Sequence, residues 1–182
     1  MILHRCFAWD RRAAVAEPGG ALWFPRPFQG DGRHDNTERY GCLYLAEAAL
    51  SPVIEQLARF RGTALVPGML RRQGLPLALA TIELADGAEL VDLDRPEVLI
   101  ARGLRPSMIA TRRREVTQPQ ALAIYDRGAD GLRWWSTFES SWINVTLFDR
   151  VAARLRVGDV RALDGRQPVV AEALATLGLA VG

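Results

Sequence analysis

Short apolar runs, broken every few residues by glycine, proline or charge, set the pattern of this chain. Residues 21–24 (ALWF) read as a buried strand stopped by Pro25 and Pro27. Residues 28–40 are polar and Gly-rich, a loop by composition, and residues 42–45 (CLYL) look like a second strand. A helix follows, with Ser51 placed as N-cap and Pro52 at the first position, where a missing N–H costs nothing. Val53, Ile54, Leu57 and Phe60 give it one apolar face. Residues 77–84 and 89–93 form two strands around the Asp86-Gly87 turn, and 96–102 a short helix stopped by Gly103. Thr117 is placed to cap a helix that runs to Arg127 and closes at Gly128. Residues 132–135 and 142–148 are strands flanking the loop that carries Ser136, and 168–177 a helix terminated by Gly178. Strand-like and helix-like stretches mix without regular βαβ alternation, which predicts an α+β fold.

Composition narrows the class. A chain of 182 residues suits one sizeable core. No apolar run approaches the roughly 18 residues of a membrane span. The N-terminus meets Asp10, Arg11 and Arg12 too early for a secretory segment, so a cytoplasmic protein is expected. Cys6 and Cys42 match no metal-ligand spacing and read as reduced, packed thiols; with only His4 and His34 beside them, no metal site is expected. All 23 basic residues are arginine, yet the net charge is only +2, too even for a broad nucleic-acid surface. The run Arg112-Arg113-Arg114 reads as a solvated strand or loop edge.

Candidate chemistry concentrates between residues 30 and 55. Arg33 sits in Gly30-Asp31-Gly32-Arg33-His34, where glycines let a ligand approach the main chain, and its planar fork suits a phosphate. Eleven residues on, Tyr44 ends an apolar run and offers a flat ring with a hydroxyl at its edge. Glu55 falls away from the apolar face of its helix, on the side of Arg59. It is either an exposed i,i+4 partner or a carboxylate for a developing cation. Ser136 follows Trp134 and Trp135 and is a turn residue or a donor to a ribose hydroxyl or carboxamide; no credible base makes it a nucleophile. Arg26 or Arg39 can supply a second phosphate contact, and Glu47 competes with Glu55 for the acidic role.

Three ordered blocks, GDGRHDN (30–36), LYLAEAALSPVIE (43–55) and TQPQALAIYDRGADGLRWWS (117–136), resemble the RES-domain toxins of bacterial toxin–antitoxin systems, a family named for an Arg, a Glu and a Ser. The likeness covers about residues 20–150 of what it implies is a single domain, 1–182, with 151–182 adding a C-terminal strand and helix packed on the core. It implies a compact ADP-ribosyltransferase-like fold, two small sheets flanked by helices around an NAD cleft. Carried over, Arg33 is the family arginine, Tyr44 the aromatic that contacts NAD, Glu55, eleven residues after it, the glutamate, and Ser136 the serine. The implied activity is cleavage of the nicotinamide–ribose bond of NAD with water or inorganic phosphate as acceptor. NAD is then a consumed substrate, and no cofactor is implied. Protein ADP-ribosylation at the same site is the alternative, and a non-catalytic interaction module the second. The implied partner is an Xre-like helix-turn-helix antitoxin covering the active site, in an assembly that allows a toxin homodimer. No nucleic acid or membrane partner is implied. Many members carry an aromatic directly after the GR arginine, where this chain has His34.

Overall fold

The computed structural model describes residues 1–181. In chain order the elements are β1 (Ile2–Ala8), β2 (Cys42–Ala46), α1 (Leu50–Leu57), β3 (Ala64–Leu65), β4 (Arg71–Arg72), β5 (Leu75–Leu84), β6 (Leu90–Asp92) and α2 (Pro96–Ala101). They continue with α3 (Pro106–Ile109), α4 (Arg114–Asp126), β7 (Gly131–Trp135), β8 (Ile143–Phe148), β9 (Leu155–Ala162), α5 (Pro168–Leu177) and β10 (Ala180–Val181). This is a mixed α+β protein whose strands are flanked by helices. The chain forms two compact units: one from Met1, Phe24–Leu45 and Leu84–Leu155, the other from Ile2–Trp23, Ala46–Glu83 and the chain from Arg156 on.

In the first unit β8 lies between β2 and β7, and β7 pairs on its other side with β6. The β7–β8 ladder is antiparallel with Trp134 opposite Asn144, and β6 runs parallel to β7 with Asp92 opposite Arg133. Strand periodicity puts Leu132 and Trp134 on one face. There they join Leu99 of α2, Ile109 of α3, and Ala121 and Ile124 of α4 in a buried cluster. Tyr40 and Phe148 belong to it too, ring centroids 4.5 Å apart.

In the second unit β1 pairs antiparallel with β5 along its whole length, from Ile2 opposite Glu83 to Ala8 opposite Leu77. β4 folds back on the start of β5, β9 pairs with β5, and His4 stands opposite Ala46. Helix α1 packs on β1 and α5. It buries Val53, Ile54 and Leu57 completely and leaves Glu55 exposed. β3 and β10 make a separate two-stranded parallel piece, unread in the sequence because two-residue strands leave no pattern.

Several boundaries differ from the sequence reading. Residues 21–24 form turns rather than a strand: Leu22 N–H bonds Val15 O at 2.7 Å, and Ala21 O accepts from Arg5 Nη1 at 2.6 Å. Ser51 is not a cap. The backbone is already helical at Ala49, so α1 starts at Leu50 and Pro52 sits third in it, still within the first turn, where N–H groups lack partners. α4 begins at Arg114, three residues before Thr117, so Thr117 does not cap it and Arg114 is helical rather than a strand or loop edge. The strands at 75–84 and 90–92 do not pair around Asp86-Gly87; β5 pairs with β1 and β6 with β7. The ends at Gly103, Gly128 and Gly178 stand, each glycine with positive φ.

Truncating Leu57 to Ala removes a wholly buried side chain from the α1 packing and should cost about 2–5 kcal/mol. Glu55→Ala on the exposed side of the same helix should cost no more than about 1 kcal/mol. Urea denaturation of the two variants beside wild type measures both; equal losses would contradict this division of the helix.

Candidate active site

Arg33 lies in a loop whose backbone is held by one carboxylate. Asp35 is 5% exposed. Its Oδ2 accepts from Gly30 N at 2.8 Å and Gly32 N at 2.6 Å, and its Oδ1 accepts from the Tyr44 hydroxyl at 2.6 Å. That hydroxyl in turn accepts from His34 N at 2.9 Å. Burial, then the nearby Cys42 and Asp35, hold the Tyr44 phenol well above its ordinary pKa, so it stays a donor to the carboxylate. Gly32 has no room for a side chain: a Cβ there would stand 2.4 and 2.5 Å from the Asp35 oxygens and 2.5 Å from the Tyr44 hydroxyl.

Helix α4 closes the loop from the other side. The Thr117 hydroxyl, inside the helix, donates to Arg33 O. Gln118 Nε2 donates to Gly30 O at 2.9 Å and Gly32 O at 3.0 Å, and Arg114 Nε to Asp31 O at 2.7 Å. The Arg33 guanidinium is placed by main chain and an aromatic face. Its Nη1 donates to the carbonyls of Ile109, at 3.0 Å, and Thr111, and its Cζ lies 4.6 Å from the centre of the Trp134 ring. A cation over an aromatic face is attracted by the ring's negative centre.

His34 occupies the position after the arginine and is buried behind it. Its ring meets Trp134 edge-on at 5.2 Å, and its Nδ1 lies 2.8 Å from Thr146 Oγ1. Trp134 Nε1 can only donate, and it reaches the same Oγ1 at 3.1 Å. Thr146 is fully buried, so its hydroxyl proton needs an acceptor, and among the described residues His34 Nδ1 lies in place to take it. That assigns the His34 proton to Nε2. Burial and then the Arg33 charge push the imidazole well below its ordinary value, so it is neutral.

Arg33 and Tyr44 are thus brought together through Asp35 and His34. Ser136 belongs to the same unit, two residues beyond Trp134 and 2% exposed. Its N–H bonds Trp142 O at 2.8 Å and its Oγ accepts from Phe138 N at 3.2 Å, so it secures the turn after β7. Glu55 stands on α1 in the second unit. Arg26 Nε bonds Thr37 O at 2.6 Å, and Arg39 pairs with Asp126 at 2.7 Å. The sequence did not mark Asp35, Gln118 or Thr146, and marked Thr117 only as a helix cap. Asp35 alone left a trace, as an acidic residue at the end of a Gly-rich loop with backbone amides to satisfy.

Because His34 stays neutral when folded but takes a proton near its ordinary 6.5 when unfolded, it stabilises the fold fully above that value. The contribution falls as pH drops below it, by up to about 1.4 kcal/mol per pH unit. His34→Gln keeps an acceptor for Thr146 and cannot titrate. Denaturation midpoints between pH 7.5 and 5.5 should therefore fall less steeply in the variant; parallel curves would refute the assignment.

No curated protein sequence matches the chain. Among solved structures, a chain of the crystal structure of the M. tuberculosis MbcT–MbcA toxin–antitoxin complex is similar in fold, with a TM-score of 0.65. The two are 17% identical, and the likeness covers 97% of this chain and 88% of that one. The model of the RES domain matches residues 3–165, from β1 to just past β9, and by that match the chain belongs to the RES domain family.

Proposed function

We propose that this protein is a toxin that consumes NAD by cleaving the bond between nicotinamide and ribose. The observation that carries the reading is the Arg33 loop: within a RES domain, an arginine with fixed backbone stands over an aromatic face beside Tyr44. A guanidinium so placed presents positive charge and N–H donors to an anionic dinucleotide, and Arg33 is assigned to the pyrophosphate or the adjoining ribose. Tyr44 gives its ring to the dinucleotide while its hydroxyl serves the loop. Glu55, whose carboxylate is exposed on α1, is assigned to the ribosyl cation that forms as the C–N bond breaks. Ser136 is assigned to the nicotinamide end.

The chemistry balances without a redox step. The C1′–N bond breaks with both electrons going to the pyridinium nitrogen, and neutral nicotinamide leaves. An oxygen of water or inorganic phosphate then bonds to C1′. With water a proton is released and ADP-ribose forms; with phosphate the product is its phosphate ester. The likeness to a chain of a toxin–antitoxin complex supports a protein antitoxin as partner, and the family resemblance an Xre-like one.

Purified protein incubated with NAD should release nicotinamide. Arg33→Ala and Glu55→Ala should each lower the rate by about 10²–10³-fold. Mass measurement of the product with and without phosphate separates the two acceptors, and label appearing on protein would identify ADP-ribosyl transfer instead. Wild type as inert as Glu55→Ala in both buffers would leave a non-catalytic binding module and overturn the proposal.

A further inference from the structure

We infer that Asp35 is a positioning residue for Arg33, acting through the loop backbone and through Tyr44; its consequence for turnover rests on the reading that Arg33 engages NAD. The hydrogen bonds on either side of Arg33 end on one carboxylate–phenol pair. Before it, Gly32 N–H donates to Asp35 Oδ2 at 2.6 Å, seconded by Gly30 N–H at 2.8 Å. After it, His34 N–H donates at 2.9 Å to the Tyr44 hydroxyl, which donates to Asp35 Oδ1 at 2.6 Å. The peptide path through Arg33 is thereby clamped at both ends, and the Thr117 hydroxyl fixes its carbonyl.

The charge of Asp35 is placed with equal economy. Burying a carboxylate is costly unless donors replace its water, and here three do. All three are neutral N–H or O–H groups, and two of them belong to the loop's own backbone. Charge-assisted bonds of this kind are shorter and stronger than neutral ones, as the 2.6 Å separations reflect. The missing Cβ of Gly32 belongs to the same assembly, since any side chain would enter the space filled by the Asp35 oxygens and the Tyr44 hydroxyl.

Asp35→Asn preserves shape but turns one acceptor oxygen into an NH2 that faces donors. Steady-state kinetics of nicotinamide release should show KM for NAD raised by about 10- to 100-fold, with kcat within a few-fold of wild type. Tyr44→Phe should raise KM similarly, and the double variant should be no worse than the poorer single one, because both break one chain of bonds. Gly32→Ala, which keeps the carboxylate, should raise KM in the same way and serves if Asp35→Asn does not fold. A variant that merely loses folded molecules lowers kcat at unchanged KM, and that result, or two single effects that multiply, overturns the inference. Should wild type release no nicotinamide, the proposed function fails and amide hydrogen exchange decides this inference alone. Gly32 and His34 should then lose protection by at least about tenfold in Asp35→Asn while β7 and β8 keep theirs; unchanged protection refutes it.

Discussion

A buried carboxylate has to be answered by donors, and Asp35 is answered by two loop amides and a tyrosine hydroxyl. Much of the geometry around Arg33 follows from that requirement. It demands that the chain turn tightly enough for residues 30 and 32 to reach back to residue 35. It excludes a side chain at Gly32, and it orients the Tyr44 hydroxyl inward, where it also receives His34 N–H. Replacing any of these groups leaves a buried donor or acceptor unmatched, which costs more than the bond itself contributes.

The same economy of polar groups extends behind the loop. His34, Thr146 and Trp134 share hydrogen bonds in a sequence that leaves one proton arrangement, with the imidazole neutral and its Nδ1 accepting. Arg33 then lies over the Trp134 ring with Nη1 on two carbonyls, and after burial its charge is the second cause that lowers the pKa of its own neighbour. The neutral His34 ring fills the space behind the arginine without adding charge. The second unit supplies a plainer arrangement. Helix α1 is anchored by Val53, Ile54 and Leu57, and its exposed side carries the carboxylate assigned to the chemistry.

How much of this was legible depended on the kind of signal. The strands at β2, β5, β6, β7 and β8 and the helices ended by Gly103, Gly128 and Gly178 follow from local apolar runs and from glycine's tolerance of positive φ. Residues 21–24 look like a strand because they are apolar, but no neighbouring strand pairs with them and local turns take their backbone bonds. Strand β1 was unread because His4 and Arg5 interrupt its apolar run. Ser51 and Thr117 are good capping residue types at which no helix begins, since capping depends on backbone angles that residue type only biases.

By itself, the sequence determined the family and the candidate side chains: Arg33 among glycines, Tyr44 eleven residues on, Glu55 on the polar side of an apolar helix, Ser136 after two tryptophans. Each lies in a short block, and the resemblance of those blocks to the RES family singles it out from its neighbours. Only the tertiary structure decided what holds them. The groups on the Arg33 loop come from Ile109, Thr111, Arg114, Thr117 and Gln118, some 80 residues away along the chain. Hydrogen bonds of that reach leave no period or motif in the sequence, because they are set by where two surfaces meet after the chain has folded.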